Sequence, residues 1–291
     1  MPPPRLLVVG DIAWDILMRP EREPVWGSDV FGTVELLPGG SAANVAVWAR
    51  RLGVPVTLAG RIGDDALGEL MARHLASEGV TARTAVVAGG ATTRVGIYVR
   101  ADGEHSFITD HTRALRFDEA DVPLDLLDEA DAVFVAGYAV YMSESAQFLG
   151  RLLAEARRRA VTIAFDPSSF ALIHRYGPDR LLSELGGLDI LLANEDEARA
   201  LANGGTVETL LDHARLVVVK RGAAGATALD GARTVSVPAS AVDVVDTTGA
   251  GDAFDAAFLA EYLVHLDLDA ALAAANRLGA QVAGRLGAQT R

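Results

Sequence analysis

The chain has no cysteine, which removes disulfide frameworks and thiolate metal sites and fits a reducing compartment. Lys220 is its only lysine, so arginine supplies nearly all basic charge. That charge falls short: 26 basic residues face 39 acidic ones among 291, a formal net charge of −13. A field of that sign repels phosphate backbones and anionic bilayers and argues against nucleic acid or a membrane as partner. Any phosphate must then be held by local dipoles. No apolar run reaches the roughly 20 residues of a membrane span, and the opening Met1-Pro2-Pro3-Pro4-Arg5 lacks a basic region followed by a long apolar stretch. Internal repeats, low-complexity tracts and long linkers are absent too. What is present is an ordinary globular balance, 50% hydrophobic and 22% charged, which reads as a soluble cytoplasmic protein with a substantial core, one large α/β domain or two modest ones.

Short apolar runs at residues 6–9, 56–59, 132–136, 161–165, 188–192 and 216–220 show no clean polar alternation. Amphipathic helical patterns separate most of them, which predicts parallel strands buried on both faces. Two stretches break this rhythm. Residues 30–37 look extended, and residues 94–100 and 104–109 form strand-like runs joined by Ala101-Asp102-Gly103, a hairpin turn signal. Together they predict a small sheet acting as a lid; an edge hairpin of the main sheet is the alternative.

Several residues at predicted strand ends carry chemistry. Asp11 and Asp15 follow the first strand, where open α/β sheets place ligands, although both also suit a turn. Gly39 and Gly40 precede a helix with Ser41 as its N-cap, and Asn44, one turn in, can donate to and accept from a polyol. Asn194 and Glu197 open a later helix with an amide and a carboxylate on one face, suited to hydrated Mg²⁺ and phosphate oxygens or simply to the helix dipole. Lys220 ends a strand before a turn with Gly222 and Gly225, and Asn276 sits on an alanine-rich helix. Residues 242–245 read as the end of a strand. It feeds Asp246-Thr247-Thr248-Gly249-Ala250-Gly251-Asp252, whose small residues at a helix N-terminus expose backbone amides to an anion. Asp252 stands where a proton acceptor would face that anion, and the helix dipole should keep it ionised at neutral pH.

Gly39-Gly40 with Asn44, Asn194 with Glu197, and residues 246–252 together resemble the ribokinase, or pfkB-type, family of carbohydrate kinases, over nearly the whole chain. The resemblance implies a ribokinase-like three-layer α/β/α fold, with a mostly parallel central sheet and a small β lid. It would be a single kinase domain over 1–291, with lid segments at about 16–38 and 92–112. It implies Asp252 as general base, the amides of Gly249, Ala250 and Gly251 as anion hole, and Asp11, Asp15, Gly39, Gly40 and Asn44 on the polyol side. Asn194, Glu197, Lys220, Gly222, Gly225 and Asn276 would bind ATP, with Glu197 organising Mg²⁺ through water and Asp246 near a monovalent cation such as K⁺. The expected activity is ATP-dependent phosphorylation of a hydroxymethyl group on a free pentose or hexose. A nucleoside kinase, with Trp14, Trp26, Phe31, Tyr98 or Phe107 against the base, and a non-catalytic sugar- or nucleotide-binding relative are the alternatives. The edge at residues 30–37 needs covering, so a homodimer through the lids is expected. Two departures stand out. Several sugar-kinase relatives have Asp-x-Asn-x-Arg where this chain has Asp166-Pro167-Ser168-Ser169-Phe170, and Asp255 occupies a position often small in the family.

Overall fold

The apolar runs do pair as parallel strands. The computed structural model describes residues 3–100, 105–110, 112–142 and 146–290. Its first strand, β1 (Leu6–Val9), sends Leu6 and Val8 to one face of the main sheet and Leu7 and Val9 to the other, all of them buried. Side chains alternate across a strand, so such a strand needs a hydrophobic layer on both sides.

The main sheet has nine strands in the order β13-β12-β11-β10-β9-β8-β1-β4-β5. These are β4 (Val56–Gly63), β5 (Thr81–Val87), β8 (Ala132–Ala136), β9 (Thr162–Asp166), β10 (Leu188–Asn194), β11 (Ala214–Lys220), β12 (Ala226–Leu229) and β13 (Thr234–Val237). Pairing is parallel from β5 across to β11 and antiparallel for β12 and β13. One face packs against α1 (Ser41–Arg51), α2 (Ala66–Ser77), α8 (Ala250–His265) and α9 (Leu268–Ala283). The other packs against α3 (Gly137–Tyr141), α4 (Ala146–Arg158), α5 (Phe170–Tyr176), α6 (Pro178–Leu185) and α7 (Glu195–Ala202). Phe254, Phe258 and Tyr262 recur every four residues along α8, and their rings stack at 6.4 and 5.3 Å. Burying such side chains stabilises by about 1.5–3 kcal/mol each.

The stretches that broke the rhythm form a separate four-stranded sheet of order β3-β2-β6-β7, from β2 (Ala13–Pro20), β3 (Gly32–Gly39), β6 (Thr93–Val99) and β7 (His105–Thr109). The edge-hairpin alternative is thereby removed; the turn at residues 101–104 lies outside the described residues. Register puts Asp15, Leu17, Leu37, Val95, Ile97 and Phe107 on one lid face. Leu17 and Ile97 belong there to a small apolar cluster against which Leu37, Val95 and Leu286 pack. The opposite face carries Ile16, Met18, Val34, Leu36 and Ile108.

One expectation fails. Residues 242–245 are not a strand: Val242, Val244 and Val245 are exposed, and Val245 N–H donates instead to Ala283 O at the end of α9 (2.8 Å). β-branched residues favour extended backbone whether or not a partner strand is there to pair with.

Candidate functional site

The carboxyl ends of β1, β8, β9, β10 and β11 share one edge of the sheet, and the N-terminus of α8 lies against it. Gly249 caps α8 with φ +73°, a conformation that favours glycine. Ala250 N–H closes the turn on Thr247 O (3.2 Å), which takes it out of the expected trio of anion-binding amides. The remaining first-turn N–H groups, Gly251 among them, have no intrahelical acceptor. Asp246 shapes the approach: its carboxylate accepts from Thr248 N and Oγ1 (3.0 and 2.7 Å) and from Gly287 N (2.9 Å).

Asp252, in the first turn of α8, accepts a 2.7 Å hydrogen bond from Asn44 Nδ2 on α1. The structure thus joins the polyol-side amide directly to the expected base. Burial pushes the Asp252 carboxyl up to about 7, with Asn44 opposing and the neighbouring charges of Asp166, Lys220 and Asp11 also acting. The expectation of a carboxylate fully ionised at neutral pH is corrected, because desolvation outweighs the helix dipole.

Asp11 proves to be the cap of α1. Its carboxylate accepts from Ser41 N (2.9 Å) and Ala42 N (3.4 Å), so Ser41 is the first helical residue and not its own N-cap. Gly40, with φ +93°, leaves no room for a Cβ beside Asp11 O. Gly39 is needed for a different reason: a Cβ there would lie 2.2 Å from Asp15 Oδ2. Asp15 is held against that glycine in a nest of acids. Burial, then Asp11, Asp252 and Asp246, push it up to about 8.

On the opposite side, Asn194 and Glu197 form a capping box. Glu197 N donates to Asn194 Oδ1 (2.9 Å), and Asn194 N donates to Glu197 Oε2 (2.8 Å). Burial and Asp166 push Glu197 up to about 7. Lys220 pairs its ammonium with Asp166 and, at 3.0 Å, with Asp255. Burial pulls its pKa down, but Asp166, Asp255 and Glu197 outweigh that and hold it charged. Nζ nonetheless lies 3.5 Å from where a Cβ on Gly251 would be, directly behind the anion turn. Gly222 and Gly225 make the turn between β11 and β12, both at positive φ. Asn276 donates from its amide to Val237 O (2.9 Å) and Pro238 O (3.1 Å), tying α9 to the end of β13. Among the described residues, no group of three or more His, Asp or Glu forms a cage for a metal ion.

Residues 4–291 match the pfkB family carbohydrate kinase profile. The chain belongs to that family. Among its relatives, an ATP-dependent ribose-1-phosphate kinase of Halopiger xanaduensis is 33% identical over 289 residues, covering 98% of this chain and 94% of that protein. A ribokinase of Bacillus subtilis is 28% identical, with 98% and 94% covered. Among solved structures, the adenosine kinase of Sinorhizobium meliloti superposes with a TM-score of 0.88 at 26% identity, over 100% of this chain and 96% of that one. The ribokinase fold, with its large mostly parallel sheet and surrounding helices, is therefore this family member's architecture.

Three residues escaped the reading of the sequence. Tyr138, on α3, is half-buried, and its phenol is pushed up by desolvation and then by Asp11, Asp252 and Glu197. Asp166, seen only as part of a departure, anchors Lys220. Gln289 bonds Asn44 across 245 positions of sequence. Only Asp166 carried a local signal, an acid at a strand end.

Proposed function

We propose that this chain is an ATP-dependent kinase transferring the γ-phosphoryl group to a hydroxymethyl group of a small free sugar, a pentose or hexose. The observation that carries the reading is the Asn44–Asp252 hydrogen bond at the mouth of the anion turn. It brings a polyol-recognising amide, a proton acceptor and helix-terminal N–H groups within reach of one hydroxyl. The hydroxyl oxygen attacks the γ-phosphorus, the bond to the bridging oxygen of the β-phosphate breaks, ADP leaves, and the hydroxyl proton passes to the Asp252 carboxylate. Phosphoryl transfer has a loose transition state, so charge stabilisation by the 249–251 turn and positioning by Asp11, Asp15 and Asn44 supply most of the acceleration.

Mg²⁺ fits beside Glu197, whose second carboxylate oxygen is free of the capping box and is a hard ligand able to act through water. Bound on the phosphates, Mg²⁺ would neutralise developing charge. A K⁺ site beside Asp246 completes the cofactors, and residues 1–291 act as one domain with lid segments at about 16–38 and 92–112.

The acid nest suits several neutral hydroxyls. Of the aromatics available to a nucleobase, Trp14 is taken into the core with its Nε1 on Leu67 O (2.9 Å), and Trp26 and Phe31 are exposed. Phe107 is half exposed and shares a lid face with Asp15, and it is the observation favouring a nucleoside kinase as second reading. A coupled ADP-release screen over pentoses, hexoses, nucleosides and ribose 1-phosphate separates these. A free sugar should give the highest kcat/KM, and a tenfold preference for a nucleoside or a sugar phosphate would overturn the assignment.

With its base pushed up to about 7, kcat/KM should climb as pH rises and level off above about 7.5. A flat profile between pH 5.5 and 8.5 would contradict the role given to Asp252.

The outer lid face, with Val34, Leu36 and Ile108 exposed, suits a second copy of the chain. Light scattering should find a dimer, and Leu36→Glu with Ile108→Glu should convert it to a monomer; a monomeric parent protein would sink the lid-to-lid pairing.

A further inference from the structure

A chain of side-chain hydrogen bonds runs from the base to the far side of α1. Asn44 Nδ2 donates to Asp252 Oδ2 (2.7 Å), Gln289 Nε2 donates to Asn44 Oδ1 (2.8 Å), and His74 Nε2 meets Gln289 Oε1 at 2.6 Å. The directions are mutually dependent. A carboxylate only accepts, so Asn44 must turn its NH₂ toward Asp252 and its oxygen toward Gln289. Gln289 must answer with its own NH₂, which leaves its oxygen for an N–H on His74. Reversing any one amide places two acceptors or two donors face to face. Asn44 and Gln289 are buried, at 3% and 5% exposure, so water does not relieve such a mismatch.

We infer that Gln289 is a positioning residue for the base: supported by His74, it fixes the Asn44 amide so that its N–H groups face the Asp252 carboxylate. The inference rests on the reading of Asp252 as the base. It also gives the C-terminal segment a task in the active site, where it otherwise only fills space. That segment is anchored without the Gln289 side chain, since Asp246 holds Gly287 N, Trp48 Nε1 donates to Ala288 O (2.8 Å) and Arg51 donates to Gln289 O (2.7 Å). Changing the side chain therefore leaves the segment in place.

The charged and titratable groups around Asp252 include Asp11 beyond β1, Asp15 on β2, Tyr138 on α3, Asp166 on β9, Glu197 on α7, Lys220 on β11 and Asp255 on α8 itself. Asn44 is the hydrogen-bond donor among its neighbours that favours the ionised form. Losing its orientation must move the ionisation of the base to higher pH.

The test is the pH profile of kcat/KM for the wild type, Gln289→Met, His74→Phe and Asp252→Asn. Gln289→Met keeps the length of the side chain and removes its amide. Its acid limb should move up by about half to one pH unit, so activity falls roughly three- to eightfold at pH 6.5 and stays within about threefold of wild type at pH 9. His74→Phe should shift the limb in the same direction by less. If Gln289→Met does not fold, His74→Phe, which retains Gln289, is judged by the same criterion. A limb unmoved from wild type, or a loss equal at all pH values in a folded variant, overturns the proposal. An active Asp252→Asn enzyme would instead remove the reading on which it rests, so the two failures are distinguishable.

Discussion

Asp252→Asn is expected to lower kcat by about a thousandfold while ATP affinity stays within about twofold, since general-base groups contribute on the order of 10²–10⁴ and the role proposed for Asp252 is toward the acceptor hydroxyl. Asparagine keeps the size of the side chain and can still accept from Asn44, but it cannot take the hydroxyl proton. The same substitution should leave a mark on stability with a defined sign. Burial raises the folded carboxyl from its ordinary 3.8 to about 7. A group shifted upward supports the fold fully below its unfolded value, and that support is lost as pH rises through the folded one. Above about pH 7 the wild type therefore holds an unfavourable buried charge that the variant lacks. Asp252→Asn should melt higher than wild type at pH 8 to 9, and this advantage should shrink toward pH 5. A variant that is both inactive and less stable at pH 8.5 would mean that activity was lost through damage to the fold.

Gly249→Ala is the second change with a large expected effect, and its cause is backbone and packing together. Gly249 has φ +73°, and a Cβ there would lie 2.3 Å from Ala288 Cβ and 2.7 Å from Ala288 Cα. Neither atom is the end of a flexible side chain. The turn must open, which tilts the first N–H groups of α8 away from the anion they would hold. Removing one such donor typically costs 10²–10³ in rate, so a kcat loss of about that size is expected, with about 1–3 kcal/mol lost from stability. Gly251→Ala is the contrast. Its Cβ would meet Lys220 Nζ at an ordinary 3.5 Å, so the fold should keep its melting temperature within a few degrees. Steady-state kinetics and thermal melts of both variants check this, and equal destabilisation by the two would refute the packing argument.

The layered sheet could be read from the sequence because a strand segment buried on both faces must be apolar throughout, as in β1 and residues 216–219 of β11. The turn at residues 246–252 was legible for a similar reason: its glycines and its acid lie within one short stretch. What could not be read was pairing over distance. Asp11 capping α1 from thirty residues away looks like a turn former, and nothing beside Lys220 in the sequence announces that Asp166 and Asp255 close around it. Gln289 reads as a tail residue and becomes the partner of Asn44 only when α1 packs against the C-terminal segment. The ionisation of Asp252 was misjudged for a related reason, because its helix terminus is local and visible whereas its burial is made by the whole fold. At residues 242–245 the apolar run is real, but α9 holds its backbone in place of a neighbouring strand.

Phosphoryl transfer to a sugar hydroxymethyl group at Asp252 is the central claim, and ³¹P NMR of the product formed from ATP, Mg²⁺ and a ¹³C-labelled pentose tests it most directly. The account predicts ADP and a sugar monophosphate in equal amounts, with phosphorus coupled to the hydroxymethyl carbon. Phosphate on the anomeric carbon, or ATP hydrolysed to free phosphate with the sugar unchanged, would contradict it.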